Sequence, residues 1–196
     1  PWTLIVYMFG LKSAKNKINT DKLKISEPSI KIVLDKINDF LCTHIINQVQ
    51  AGADVVQIFD SWAGLLPYDK LFDYCYEPNK KIVDFCKKKK IPVICFPKGI
   101  KTNYLEFANI VKPNCLSLDY DIDPLWAKDN LGDYCLQGGM DPKILFQEED
   151  RVFKEVDRYL NIFKDQAYIF NLGHGLLPET NPNILRKIVQ RVNNFK

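Results

Sequence analysis

Short apolar runs alternate with helical stripes along most of the chain. Ile30, Val33, Leu34, Ile37, Leu41, His44, Ile45 and Val49 keep one face at 3.6-residue spacing, which predicts a helix. Ser26 as cap and Pro28 in the first turn mark its start, and Gly52 marks its stop. The β-branched run Val55–Phe59 predicts a strand. A helical pattern from Pro67 to Lys90, reopened at Pro78, leads to a strand over Pro92–Phe96. The series continues with a helix over Tyr104–Val111, a strand over Leu116–Leu118, a small helix over Pro124–Leu131 and a strand over Tyr134–Gln137. It closes with a helix over Glu148–Phe163, a strand over Tyr168–Asn171 and a helix over Asn183–Val192. The opening residues Pro1–Met8 are apolar and read as a further strand, entered in its middle. The lysine-rich stretch 11–25 reads as a loop or frayed helix.

Strand followed by helix, repeated, implies parallel pairing through right-handed crossovers. The strands are continuous apolar runs, so both sheet faces are expected to be covered. No glycine-rich phosphate loop follows any of them, which removes the main support for a nucleotide-binding doubly wound sheet. Polar or glycine-rich residues do recur after the strand ends: Asp60-Ser61, Lys98-Gly99, Asp119, Gln137–Asp141 and Asn171–Gly175. The expected fold is therefore α/β, a partial TIM-type (β/α)8 barrel with six parallel strands and intervening helices, its chemistry at the mouth where those loops lie. Six strands do not close a barrel, so the first two are expected to be missing. Residues 1–196 then form a single C-terminal part of the barrel.

Composition adds exclusions. The 46% hydrophobic and 26% charged content of the 196 residues is ordinary for a globular domain. A net charge of 27 − 24 = +3 is too mild to point to nucleic acid or a membrane surface, and neither is an expected partner. No apolar run approaches the roughly 18 residues of a membrane helix. Only four positives are arginine (Arg151, Arg158, Arg186 and Arg191), all in the last quarter. A polyanion site usually uses arginine forks, so if such a site exists here its arginines are missing or lie elsewhere. The six cysteines form no CxxC pair; Cys95, Cys115 and Cys135 read as small hydrophobes in or beside strands, and no metal site is expected. Without a signal-peptide pattern the chain is expected in the cytoplasm.

Four motifs taken together resemble the uroporphyrinogen decarboxylase family. They are Pro1-Trp2-Thr3-Leu4 with Tyr7-Met8, Phe59-Asp60-Ser61-Trp62-Ala63-Gly64, Leu136-Gln137-Gly138-Gly139-Met140-Asp141-Pro142, and Asn171-Leu172-Gly173-His174-Gly175-Leu176 with Pro178-Glu179-Thr180. Two departures stand out: Phe9-Gly10-Leu11-Lys12 replaces a Glu-Gly-rich loop, and Gly139 replaces an asparagine. The resemblance implies a TIM-barrel carboxy-lyase of haem biosynthesis, working without cofactor, that converts uroporphyrinogen III to coproporphyrinogen III by removing four acetate carboxyls. It further implies a homodimer once the full barrel is present. By motif, Tyr7, Ser61 and His174 line the substrate cleft, while the family's catalytic aspartate and clamping arginines belong upstream of Pro1. The chain then corresponds to about three-fifths of a family member. Related corrinoid-dependent methyltransferases hold zinc through His-x-Cys and a further Cys; Cys95–Lys98 and Gly173–Gly175 offer no such set. A truncated, non-catalytic porphyrinogen-binding fragment is the other alternative.

The residues themselves support specific roles. Period-2 alternation places Phe59 and Ser61 on one face with Asp60 opposite, giving an apolar ring contact beside a hydroxyl that can reach a carboxylate. The competing role for Ser61 is a helix cap or loop hydroxyl. The glycines around His174 let an imidazole reach the barrel mouth. Tyr7 could equally be a core tyrosine with its hydroxyl satisfied. Asp119 and Asp141 are candidate caps, His44 a packed helical histidine, and Lys87–Lys90 the solvated end of a helix.

Overall fold

The computed structural model describes residues 1–12 and 17–195, which form two compact units, Pro1–Asn114 and Cys115–Lys196. The first unit runs α1 (Trp2–Met8), α2 (Thr20–Gln50), β1 (Val56–Phe59), then α3 (Tyr68–Leu71), a π turn (Phe72–Tyr76) and α4 (Glu77–Lys88), then β2 (Val93–Phe96) and α5 (Tyr104–Val111). β1 and β2 pair in parallel with Val56 opposite Val93 and Phe59 opposite Phe96. The second unit runs β3 (Cys115–Leu118), α6 (Pro124–Leu131), β4 (Cys135–Gly138), α7 (Glu149–Phe163), β5 (Tyr168–Ile169) and α8 (Pro182–Asn193). β4 pairs in parallel with β3 on one side and β5 on the other. Strand and helix alternate as the sequence predicts, and the fold is α/β, consistent with part of a TIM-type barrel. β2 and β3 are buried throughout: β2 is unbroken apolar sequence, and β3 encloses one polar residue, Ser117, among apolar ones.

Several expectations are corrected. The opening run is not a strand: Trp2–Met8 is helical, with Trp2, Ile5 and Val6 buried. Those positions follow the i, i+3, i+4 spacing of one helix face, which an all-apolar run conceals from a reading of hydrophobicity alone. The described strands are therefore five rather than six, and an eight-stranded barrel exceeds them by three rather than two.

The second correction concerns α2. The helix begins at Thr20, not near Ser26, and carries Pro28 in its interior. Asn19 caps it, its side-chain oxygen accepting the Lys22 N–H at 2.9 Å. Leu23 is buried seven residues before Ile30, on the same face, so docking of the extra turns offsets the hydrogen bond Pro28 cannot make. Of the stretch expected as a loop or frayed helix, residues 13–16 lie outside the described residues and residues from Thr20 onward are helix. His44 is exposed, its ring parallel to that of Phe40 with centroids 6.4 Å apart, and not packed in the core. Lys87–Lys90 are exposed at the end of α4.

Candidate functional site

The Pro-Trp-Thr-Leu and Phe-Asp-Ser-Trp motifs are one interlocked piece of structure in the first unit. Asp60, the residue after β1, is 1% exposed, and its carboxylate accepts the backbone N–H of Thr3 at 2.7 Å and of Trp2 at 3.4 Å. The first amides of a helix have no partner within it, so Asp60 supplies from 57 residues away the acceptor that α1 lacks at its own start. The Asn79 side-chain amide of α4 donates to the same carboxylate at 2.9 Å. In return the Trp62 N–H donates to the Thr3 hydroxyl at 3.3 Å, and the Trp2 indole N–H donates to the Trp62 carbonyl at 3.1 Å. Tyr7 lies one helical turn beyond Thr3 and meets the Trp62 ring edge-on, centroids 6.2 Å apart. The Lys12 ammonium sits over the other part of this cluster, 3.9 Å from the centre of the Trp62 ring.

This lattice of backbone bonds turns specific side chains outward. Tyr7 is 66% exposed and Phe59 59% exposed, so neither serves the core. Phe59 leans edge-on against buried Phe96 at 6.0 Å. Ser61 is half-buried, and the short turn Ala63–Leu65 that follows it takes no side-chain cap. Its hydroxyl makes no hydrogen bond among the described residues, which removes the capping role weighed against a binding one. The alternation expected around β1 holds: Asp60 points inward while Phe59 and Ser61 take the other side. The missed element is Asp60 itself. An inward-facing acid after a strand needs a donor, and that need was the available signal.

In the second unit the Gln-Gly-Gly-Met-Asp and Asn-Leu-Gly-His-Gly segments follow β4 and β5. Met140 bridges Leu172 in parallel, and the Gly173 N–H donates to the Met140 carbonyl at 2.8 Å. A Cβ on Gly173 would stand 2.5 Å from the Tyr120 nitrogen and 2.9 Å from the Asp119 carbonyl carbon, so only glycine permits this approach. His174 comes next and is exposed. Its Nδ1 accepts the Gly175 N–H at 2.7 Å, which places the proton of the neutral ring on Nε2. Asp141 caps the turn Pro142–Phe146 by accepting the Lys143 N–H at 2.9 Å. Asp119 is fully buried and accepts the Asp121 N–H at 2.9 Å.

A scan of protein families finds the uroporphyrinogen decarboxylase (URO-D) model matching residues 1–195. The chain belongs to the uroporphyrinogen decarboxylase family. Among curated relatives, the uroporphyrinogen decarboxylase of Cereibacter sphaeroides is 32% identical over 197 residues, covering 98% of this chain and 57% of the relative. That of Jannaschia sp. is 34% identical over 189 residues, covering 93% and 54%, and that of Wolbachia pipientis wMel is 32% identical over 202 residues, covering 100% and 57%. The chain thus spans somewhat over half the length of these uroporphyrinogen decarboxylases.

Cys95 is fully enclosed, and burial, reinforced by the nearby Asp60 charge, pushes its thiol well above the ordinary range. Among the described residues no group of three or more His, Cys, Asp or Glu side chains is placed to hold a metal ion. No helix among them is long and apolar enough to cross a membrane.

Proposed function

We propose that this chain provides part of the substrate cleft of a uroporphyrinogen decarboxylase, which converts uroporphyrinogen III to coproporphyrinogen III without a cofactor. The observation that carries this reading is the contrast within the family motifs: their backbones are locked by hydrogen bonds while Tyr7, Phe59 and His174 are exposed and Ser61 is half-buried. From the first unit, Tyr7 and Phe59 offer ring faces to a pyrrole and Ser61 a hydroxyl to a carboxylate. From the second, His174 offers Nε2–H to a carboxylate arm. Membership of the family supports a homodimer and a cytoplasmic setting as parts of the same proposal.

The chemistry explains why no cofactor is needed. When an acetate arm loses carbon dioxide, the C–C bond to the carboxyl breaks and its electron pair needs a sink. Protonating the electron-rich pyrrole provides one within the substrate; a proton then delivered to the methylene carbon makes a methyl group, and the ring releases the proton it took up, so one proton is consumed for each carbon dioxide lost. The protein's share is to orient the carboxylates and stabilise the cationic ring. The residues named here contribute orientation. The catalytic carboxylate of the reading belongs to the part of the family beyond this chain's match.

The test is anaerobic. Purified chain is titrated with uroporphyrinogen III and assayed for coproporphyrinogen, alongside His174→Ala. Binding that weakens about tenfold in the variant, with circular dichroism unchanged, is the expected result. Unaltered binding refutes the role of His174, and no binding by the parent chain refutes the cleft. Product formation would show that this chain is catalytic alone; binding without turnover would identify it as the porphyrinogen-binding portion.

A further inference from the structure

We propose that Tyr159 and Tyr168 are positioning residues, whose hydroxyls hold the Gly138-Gly139 corner and through it set the placement of His174. The importance of that placement rests on the proposed substrate role of His174; the positioning itself does not. The Tyr168 hydroxyl donates to the Gly138 carbonyl at 2.7 Å and the Tyr159 hydroxyl donates to the Gly139 carbonyl at 2.8 Å. Gly138 and Gly139 have φ of +78° and +99° and are both buried. Two successive left-handed residues turn their carbonyls out of the strand ladder, and buried carbonyls need a donor from elsewhere. The two phenols are those donors.

The corner is tied to the histidine by a short covalent and hydrogen-bonded path. Met140 follows Gly139, bridges Leu172 and accepts the Gly173 N–H at 2.8 Å, and His174 is the next residue. A shift of the corner therefore moves the peptide that precedes the imidazole. The corner has little freedom in the other direction: a Cβ at position 139 would lie 3.1 Å from Tyr159 Cε1, and one at position 138 would lie 2.8 Å from the Leu172 carbonyl oxygen. The phenol rings are themselves fixed by packing on Phe163, Tyr168 stacked at 4.4 Å and Tyr159 tilted at 6.4 Å. Tyr→Phe thus removes each hydroxyl and keeps the ring contacts.

The chain has two histidines, His44 and His174, so imidazole NMR on the full chain reads His174 with His44 in the first unit as an internal reference. Tyr159→Phe, Tyr168→Phe and the double variant are compared with Val152→Ala, a buried change on α7 two turns before Tyr159 that costs stability and leaves both phenols in place. The expected result is movement of the His174 imidazole signals in the tyrosine variants, largest in the double variant, with His44 unmoved and Val152→Ala leaving both in place. Uroporphyrinogen III binding is expected to weaken about threefold to tenfold in the double variant. A His174 signal that stays put in all three tyrosine variants, or that moves as far in Val152→Ala, overturns the proposal. If the parent chain binds no porphyrinogen, the functional reading fails while the imidazole signals still decide the positioning.

Discussion

Replacing Asp60 with alanine tests whether one buried carboxylate holds the two motifs of the first unit together. The side chain accepts three hydrogen bonds, from the amides of Trp2 and Thr3 and from the Asn79 side chain. A hydrogen bond to a charged group contributes about 1.5–3 kcal/mol, but the 3.4 Å Trp2 contact is long and the partly buried Thr3 amide regains some water. The buried Asn79 amide keeps its 2.7 Å bond to the Cys75 carbonyl, but the N–H that faced Asp60 is left without an acceptor away from water. The small cavity left by the lost carboxyl adds to the cost. Together these predict a loss of about 3–5 kcal/mol, a large fraction of a typical domain's stability of roughly 5–15 kcal/mol. Urea unfolding followed by far-UV circular dichroism measures it. Asp60→Asn, which keeps the shape and one acceptor oxygen, should lose about half as much and keeps the test readable if the alanine variant unfolds outright. A loss below about 1 kcal/mol in Asp60→Ala would show that the carboxylate does not hold the two motifs together, because two helix-start amides and the Asn79 side chain all lose their acceptor.

Other consequences are as direct. Ser61→Ala should leave the melting temperature unchanged, because the hydroxyl has no partner among the described residues, and should weaken uroporphyrinogen III binding about threefold to tenfold; lost stability with intact binding would return Ser61 to a structural role. Gly173→Ala should destabilise by about 2–3 kcal/mol, since the new methyl meets backbone of Tyr120 and Asp119 that cannot swing aside; a denaturation midpoint equal to the parent's would contradict that close approach. Burial pushes the Tyr159 phenol from its usual 10 up to about 12. The neutral phenol is thus favoured in the folded state, so its contribution is complete below about pH 10 and is lost as pH rises to about 12. The stability gap between the parent chain and Tyr159→Phe should accordingly narrow by about 2 kcal/mol over that window, and a gap independent of pH would show the phenol is not held neutral by its surroundings.

Much of the α/β order is written locally. α5 and α6 lie at Tyr104–Val111 and Pro124–Leu131, as the apolar spacing and Pro124 predict, and β2 and β3 are the expected buried apolar runs. The alternation Phe59, Asp60, Ser61 is likewise local, because a pleated backbone sends successive side chains to opposite sides whatever surrounds it. Where every residue of a segment is apolar, that logic has nothing to grip. Trp2–Met8 became helix because Asp60, far along the chain, accepts its first amides and because Trp2, Ile5 and Val6 find a core on one face. The early start of α2 has a similar cause in the docking of Leu23, which outweighs a proline in the helix.

Residue types and motif order by themselves determined the strand–helix succession, the family resemblance and the candidates Tyr7, Phe59, Ser61 and His174. Which of those side chains stay outside the core, and which neighbours hold their backbones, was set by the folded arrangement: Asp60 and Trp62 for Tyr7 and Ser61, and the Gly138-Gly139 corner with its two phenols for His174. Hydrophobic periodicity reports what a segment can bury, whereas the donors that satisfy its polar groups come from residues tens of positions away and exist only once the chain has folded.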